Sequence, residues 1–132
     1  MRILFDSNVL LSAGLFPDGK AAAAVDKGVS RHTMLLTNTV LDEVLRVARS
    51  KFSDRLPLFE RFFASLTYEF TYVPEEAIRT SPIAISDPND KHVLVSAIFS
   101  GADILVTGDK HFFERGYEDI KVMPPADFLK NI

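Results

Sequence analysis

The chain lacks several features that would assign it to common protein classes. Its 132 residues include no cysteine, which excludes disulfide scaffolds, thiol nucleophiles and zinc or iron–sulfur sites built on cysteine. No apolar run approaches the roughly 18 residues that a membrane helix needs. Apolar, strand-like sequence begins at Ile3, directly after Met1 and Arg2, so we expect no secretory signal and a cytoplasmic protein.

An excess of positive charge is also missing. Fifteen Lys and Arg stand against eighteen Asp and Glu, a formal net charge of −3. A nucleic-acid partner would therefore have to meet a local basic patch. The 47% of hydrophobic residues, seven Pro and six Gly are ordinary for a globular protein. With no repeat, charged tail or linker, the length predicts a single domain over residues 1–132.

Short apolar segments predict four to five strands separated by helices. The predicted strands are Ile3–Phe5, Met34–Thr37, Phe70–Val73, Ile104–Thr107 and Lys121–Met123. The predicted helices are a turn at Val9–Ala13 capped by Ser7 or Asn8, Lys20–Lys27 ending at Gly28, Val40–Phe52 capped by Asn38 or Thr39, Leu58–Tyr68, Asp87–Ser100 closed by Gly101, and Pro124–Leu129 as a turn or helix. This alternation indicates an α/β fold with a mainly parallel sheet, in which ligands bind beyond the carboxyl ends of the strands.

Two aspartates lie where such a sheet places functional groups. Asp6 follows the first strand directly, and Asp109 follows the strand at 104–107 after one glycine. Solvation of the loops, with helix capping by Asp6, would also explain them. We therefore treat both as candidate site residues and leave the structural explanation open.

Asp90 lies on the apolar side of its predicted helix. It shares a stripe with Val93, Leu94 and Ala97, at spacings of three, four and seven residues. An acid in the first turn is favoured by the helix dipole, and Asp87 has the sequence context of an N-cap. The dipole does not explain why Asp90 lies on the apolar side. Asp90 can therefore be a functional residue or a first-turn acid, and both interpretations stay open.

Glu43 gives a similar signal. It lies about 40° outside Val47, at the rim of the apolar arc of its helix. Asp42, Arg46 and Arg49 lie on the solvent side of the same helix. A boundary residue or a first-turn acid would be an equally ordinary role for Glu43 taken alone.

Together Asp6, Glu43, Asp90 and Asp109 would converge on one rim of a parallel sheet. Two carboxylates about 4 Å apart repel by roughly 4 kcal/mol at an effective dielectric constant of about 20. Such a cluster takes up protons or binds a cation, and an all-oxygen ligand set suits Mg²⁺ or Mn²⁺. Carboxylate-held ions of this kind promote phosphoryl chemistry, so the residues predict metal-dependent phosphodiester hydrolysis.

Four segments resemble the motifs of PIN-domain nucleases, in the family's order. They are DSNVL at 6–10, LDEV at 41–44, DPNDKHVLVSA at 87–97 and GADILVTGD at 101–109. The chain is most similar to the toxin-like, VapC-type branch. The resemblance implies a three-layer α/β/α fold around a central parallel sheet of four to five strands. It also implies an Mg²⁺- or Mn²⁺-dependent ribonuclease, homodimerisation, and a small antitoxin whose tail enters the active site.

The resemblance further assigns roles to single residues. Asp6, Glu43, Asp90 and Asp109 fall on the family's metal-ligand positions. Asn8 and Thr107 fall on positions that orient those carboxylates by hydrogen bonds. At position 111 many relatives carry a further acid, whereas this chain has His111.

Candidate RNA contacts are Arg46 and Arg49, with Lys51 and Arg55 beyond them, and Lys110 beside Asp109. A solvated helix face explains each of them as well. We expect Phe59, Phe62 and Phe63 in the core or a dimer interface, and His32 and His92 at the surface or its boundary.

The four acids together with the family resemblance favour an endoribonuclease, and the resemblance implies that it is the toxin of a type II toxin–antitoxin system. The alternative is a PIN-fold module that binds RNA or protein with weak or no cleavage. A phospho-acceptor domain would need an acidic pair near the first strand, which Ser7 and Asn8 do not supply.

Overall fold

A computed structural model describes residues 1–83, 87–110, 112 and 120–132 of the chain. Five strands form one sheet, and all four neighbouring pairs within it are parallel. The strands are β1 (Arg2–Phe5), β2 (Thr33–Thr37), β3 (Glu69–Thr71), β4 (Ile104–Val106) and β5 (Lys121–Met123), in the order β3-β2-β1-β4-β5. The predicted parallel sheet is therefore confirmed, with each strand within two residues of its expected bounds.

Helices connect the strands and cover the sheet, which gives the predicted three-layer α/β/α architecture. They are α1 (Ser7–Leu15), α2 (Lys20–Arg31), α3 (Asn38–Lys51), α4 (Leu56–Ser65), α5 (Glu75–Arg79), α6 (Pro88–Phe99) and α7 (Pro125–Asn131), with a short 3₁₀ turn at Ser53–Arg55. The five-residue helix α5 is not in the sequence prediction. Within the described parts of the chain, every helix is too short or too polar to span a bilayer.

One part of the core lies between β1 and the helices α2 and α7. The Phe5 ring is fully buried and meets the edge of the Phe128 ring at a centroid distance of 5.9 Å. Helix α2 passes through Gly28 and ends at Arg31, so the expected stop at Gly28 is wrong. A Cβ atom on Gly28 would lie 2.7 Å from Cζ of Phe5. Close packing against that ring, and not termination of the helix, explains the glycine.

Two predicted helix caps are also wrong by one residue or more. Helix α1 is capped by Asp6, whose side chain accepts from the Ser7 N–H. Helix α3 is capped by Thr37, because the Asn38 side chain is engaged elsewhere. Asn38 bonds both backbone groups of Val73, at 3.1 Å and 2.7 Å, and thereby continues the pairing of β2 with the segment after β3.

Helix α6 agrees with its prediction. Asp87 caps it by accepting from the Asn89 N–H at 2.9 Å, and Gly101 follows its end with a φ of 76°. The helix is buried on more sides than expected, since Val93 to Ala97 are all buried. Asp90, one turn earlier, is half-buried and therefore lies where the packed part of α6 meets solvent.

Candidate functional site

One pocket of about 220 Å³ collects the acidic residues singled out from the sequence. It opens where β1 and β4 end, beside the second turn of α3 and the first turn of α6. Carboxyl-bearing residues on its wall are Asp6, Glu43, Asp87, Asp90 and Asp109. The structure thus brings all four predicted acids to one place, together with Asp87, an extra acid expected near the site for which helix capping was the favoured explanation.

Asp6 is the most deeply placed of these acids, with 5% of its surface exposed. Its backbone continues the β1–β4 pairing, because the Asp6 N–H donates to the Val106 carbonyl at 2.9 Å. Its Oδ1 atom accepts from the Ser7 N–H at 2.7 Å, and its Oδ2 atom accepts from the Thr107 hydroxyl at 2.8 Å. Sheet pairing and these two bonds hold the carboxylate in one orientation.

Thr107 and Asn8 occupy the supporting positions that the family resemblance implied. The fully buried Thr107 hydroxyl donates to Asp6 and accepts from the Asp109 N–H at 3.1 Å, which links the two acids. Asn8 reaches Oδ2 of Asp6 at 3.5 Å and accepts from the Gly108 N–H at 3.2 Å. The Thr107 contact is the shorter one and controls the orientation of Asp6 more directly.

The environment of Asp6 opposes its negative charge. Burial raises the pKa of Asp6 above its ordinary value, and the nearby charges of Glu43 and Asp109 raise it further. The hydrogen bonds from Thr107 and Ser7 lower the pKa of Asp6 but do not cancel the effect of burial. A cation in the pocket would favour the ionised carboxylate and reverse this balance.

The remaining acids come from different elements. Glu43 and Asp90 are half-buried on α3 and α6, and Asp109 is half-buried after β4. In the described ranges, no three histidine, cysteine, aspartate or glutamate side chains form a group that could hold a metal ion. An ion would have to draw the carboxylates closer together than they stand around the pocket.

Two neighbouring hollows extend from the acidic pocket along α3. The first, of about 290 Å³, shares Glu43 and Asn89 with that pocket and is also lined by Arg46 and His92. The second, of about 500 Å³, continues past Arg46 to Arg49. This larger hollow has none of the four candidate acids on its wall.

The other predicted residues are distributed as follows. Arg46, Arg49 and Lys110 are exposed, as expected from their positions. His92 is half-buried, with Nε2 3.8 Å from a carboxylate oxygen of Glu75. His111 lies outside the described residues.

Three hydroxyl residues near the site were missed by the sequence reasoning. Thr37, Thr39 and Ser96 contact one another where β2, α3 and α6 meet. Thr37 could have been found from its position at the end of a strand and before a helix, which suits an N-cap. Nothing in the sequence pattern pairs it with Ser96.

A family model described as a PIN domain matches residues 2–111. The chain belongs to the PIN-domain family. The resemblance seen in the four sequence segments is thereby confirmed at the level of the family. No curated protein sequence matches this PIN-domain chain.

Several solved structures share the fold. A chain of VapBC2 from Rickettsia felis, bound to a DNA fragment from its promoter, matches with 17% identity and a TM-score of 0.66, over 92% of this chain and 97% of that one. A chain of DNA-bound VapBC from Salmonella typhimurium matches with 19% identity and a TM-score of 0.67, over 95% and 98%. VapC20 from Mycobacterium tuberculosis, a Sarcin-Ricin loop cleaving toxin, matches with 14% identity and a TM-score of 0.62, over 89% and 98%.

Proposed function

We propose that this PIN-domain chain is an Mg²⁺- or Mn²⁺-dependent endoribonuclease and the toxin of a type II toxin–antitoxin system. The main support is that four acids, far apart in the sequence, line one pocket at the carboxyl ends of β1 and β4. The fold shared with VapC20, which is itself a Sarcin-Ricin loop cleaving toxin, supports RNA as the substrate.

The donor set fits a hard divalent ion, because carboxylate oxygens are the ligands that Mg²⁺ and Mn²⁺ prefer. Asp6, Glu43, Asp90 and Asp109 would hold it. When bound there, such an ion would supply polarisation of a phosphate and a water of lowered pKa.

The protein's own contribution is to fix the carboxylates. The Thr107 hydroxyl and the Ser7 N–H each hold one oxygen of Asp6, and the longer contacts from the Ser7 hydroxyl at 3.4 Å and the Asn8 amide at 3.5 Å are the ones that an ion would displace. The Thr107 hydroxyl also accepts from the Asp109 N–H, which fixes the backbone of Asp109 relative to the Asp6 carboxylate. This preorganisation reduces the reorganisation that ion binding requires.

RNA would meet the positive charge on α3 and after β4. Arg46 and Arg49 border the hollows that lead away from the acidic pocket, and exposed Lys110 follows Asp109. These three cations would contact phosphates flanking the cleaved bond. These side chains would supply the local positive charge that a chain with a net charge of −3 needs in order to bind RNA.

An antitoxin partner is supported by the solved structures of similar fold that are VapBC complexes.

The chain would also form a homodimer. Phe59 is buried in the core, which agrees with the core alternative of its prediction, and Phe62 and Phe63 pack against that core. These three aromatic residues therefore stabilise the monomer fold.

The test is cleavage of a labelled RNA in Mn²⁺ or Mg²⁺ and in EDTA. Wild-type protein should cut only with metal, and Asp6→Asn or Asp90→Asn should lose cleavage while keeping a cooperative melting transition. Asp26→Asn, which removes an exposed acid from α2, should cut like wild type. Undiminished cleavage by both pocket variants would overturn the assignment of these acids.

The same assay separates the alternative function. A PIN-fold module that only binds RNA or protein would retain labelled RNA on a filter, or a protein partner on a column, without producing metal-dependent fragments. That outcome would replace the nuclease proposal.

A further inference from the structure

Three side-chain hydroxyls contact one another beside the acidic pocket. The Ser96 hydroxyl donates to the Thr37 hydroxyl at 2.6 Å, Thr39 lies 2.7 Å from Ser96, and Thr37 lies 3.0 Å from Thr39. Thr37 ends β2 and caps α3, Thr39 is in the first turn of α3, and Ser96 is in α6. We propose that this hydroxyl cluster (Thr37, Thr39 and Ser96) positions α3 against α6 and thereby sets how the Glu43 and Asp90 carboxylates approach a bound divalent ion.

Proton counting makes the cluster a closed ring. Each hydroxyl has one proton to donate. Because Ser96 donates to Thr37, the contact between Thr39 and Ser96 needs Thr39 as donor, and the contact between Thr37 and Thr39 needs Thr37 as donor. All three protons then point the same way round the ring, so loss of one hydroxyl breaks two of the three bonds.

Burial makes each of these bonds costly to break. Thr37 and Ser96 are fully buried, and Thr39 is half-buried. A buried hydroxyl that loses its partner keeps its desolvation cost, and hydrogen bonds in a low-dielectric interior strengthen one another. The Thr37 hydroxyl also accepts from the Val40 N–H at 3.4 Å, which ties the ring to the start of α3.

The ring is connected to both acids through rigid helix. Thr39 lies one turn before Glu43 on the same face of α3, since four residues separate them. On α6, Asp90, Val93 and Ser96 follow at intervals of three residues, and Val93 lies on the wall of the acidic pocket. A shift of α3 against α6 at the ring would therefore change the separation of Glu43 and Asp90.

The cluster acts through other residues. The side chains on the wall of the acidic pocket include Glu43 and Asp90, whereas Thr39 is on the wall of the adjoining hollow, with Asn38 and His92. The three hydroxyl residues are therefore positioning residues. This role rests on the proposed function, because it concerns the site at which the divalent ion would bind.

The test is a titration of the folded full-length protein with Mn²⁺, in which free Mn²⁺ is measured by electron paramagnetic resonance. Thr39→Val and Ser96→Ala should each weaken Mn²⁺ binding about three- to tenfold, less than the roughly 10–100-fold loss typical of a direct partner of a metal ligand. The Thr39→Val/Ser96→Ala double variant should lose little more than the weaker-binding single variant, because one ring is broken in each case.

Two further variants separate positioning from loss of stability. Ser100→Ala removes another buried hydroxyl from the end of α6, one that donates to the Ala97 carbonyl of its own helix at 3.1 Å, and it should bind Mn²⁺ like wild type. Thr39→Ser keeps the hydroxyl and should restore the affinity that Thr39→Val loses. Thr39 is half-buried, so its variants remain informative even where Ser96→Ala does not fold.

The outcomes are distinct. Wild-type affinity in both Thr39→Val and Ser96→Ala, or an equal loss in Ser100→Ala, would overturn the positioning role while leaving the metal-dependent nuclease intact. Wild-type protein that binds no Mn²⁺ would overturn the proposed metal function and this inference with it. A lower melting temperature with unchanged Mn²⁺ affinity would show that the ring only stabilises the fold.

Discussion

Replacing Thr107 by valine should reveal how strongly its hydroxyl stabilises the acidic pocket. Valine keeps the branched shape but removes the donor that reaches Oδ2 of Asp6 at 2.8 Å and the acceptor of the Asp109 N–H. A hydrogen bond to an ionised group contributes about 1.5–3 kcal/mol. We expect Thr107→Val to lose about 2 kcal/mol of stability. The loss of the bond to Asp6 accounts for it, because Asp109 is half-buried and water can replace the partner of its N–H.

That loss has a measurable thermal equivalent. For a chain of 132 residues, 1 kcal/mol corresponds to a melting shift of roughly 4 °C, so Thr107→Val should melt about 8 °C below wild type in EDTA near neutral pH. The hydroxyl lowers the pKa of Asp6, which means that it favours the ionised form. The difference between the two proteins should therefore shrink as the pH falls through the pKa of Asp6.

Two controls define the result. Thr33→Val removes an exposed hydroxyl at the start of β2, at the opposite end of the sheet, and should change stability by less than about 0.5 kcal/mol. Thr107→Ser keeps the donor and should recover most of the lost stability. A melting temperature for Thr107→Val within about 2 °C of wild type, at every pH, would show that the Thr107 hydroxyl does not stabilise the ionised Asp6.

Three other substitutions test separate parts of the account. Burial raises the pKa of Asp6, so the metal-free fold should lose stability as the pH rises from the ordinary aspartate pKa through the raised one. Asp6→Asn should remove both that loss and the thermal stabilisation by Mn²⁺. Equal stability profiles of the two proteins from about pH 3 to pH 8 would contradict this. Gly28→Ala should lower the free energy of unfolding in urea by about 1–2 kcal/mol, because overpacking against Phe5 at 2.7 Å exceeds the gain of about 1 kcal/mol in helix propensity. A variant more stable than wild type would show that the Phe5 ring moves to make room. Phe128→Ala should cost about 3–5 kcal/mol, and a loss below about 1 kcal/mol would argue against its central place in the core.

Much of the fold could be predicted because its signals are local. Strand β1 is an apolar run buried on both faces, and α6 has a capping aspartate, a proline at its first position and a glycine after its end. Each of these features specifies the backbone without reference to distant residues. The alternation of such segments was sufficient to predict the parallel sheet.

The errors occur where tertiary contacts override local preference. Glycine is typical of a helix end, but α2 continues past Gly28. The glycine is there because the Phe5 ring occupies the space that a side chain would need. Asn38 is a good capping residue, but its amide pairs with the Val73 backbone, which leaves Thr37 as the cap of α3. Neither partner can be identified from the neighbouring sequence.

The candidate site divides in the same way. Asp6 and Asp109 could be predicted from their positions after apolar strands, and Asp90 from its place on an apolar helix face. The contacts between Ser96 and the hydroxyls of Thr37 and Thr39 could not, because 59 and 57 residues separate the partners and serine and threonine have no characteristic spacing.

The central claim is that acids from separate elements of this PIN domain share one divalent ion. A crystal of the wild-type protein soaked in Mn²⁺, measured at the manganese absorption edge, tests it most directly. We expect an anomalous peak in the pocket, in contact with Asp6 and at least one of Glu43, Asp90 and Asp109, and no such peak in crystals of Asp6→Asn. An empty pocket in the soaked wild-type crystal, or manganese bound only elsewhere on the surface, would contradict it.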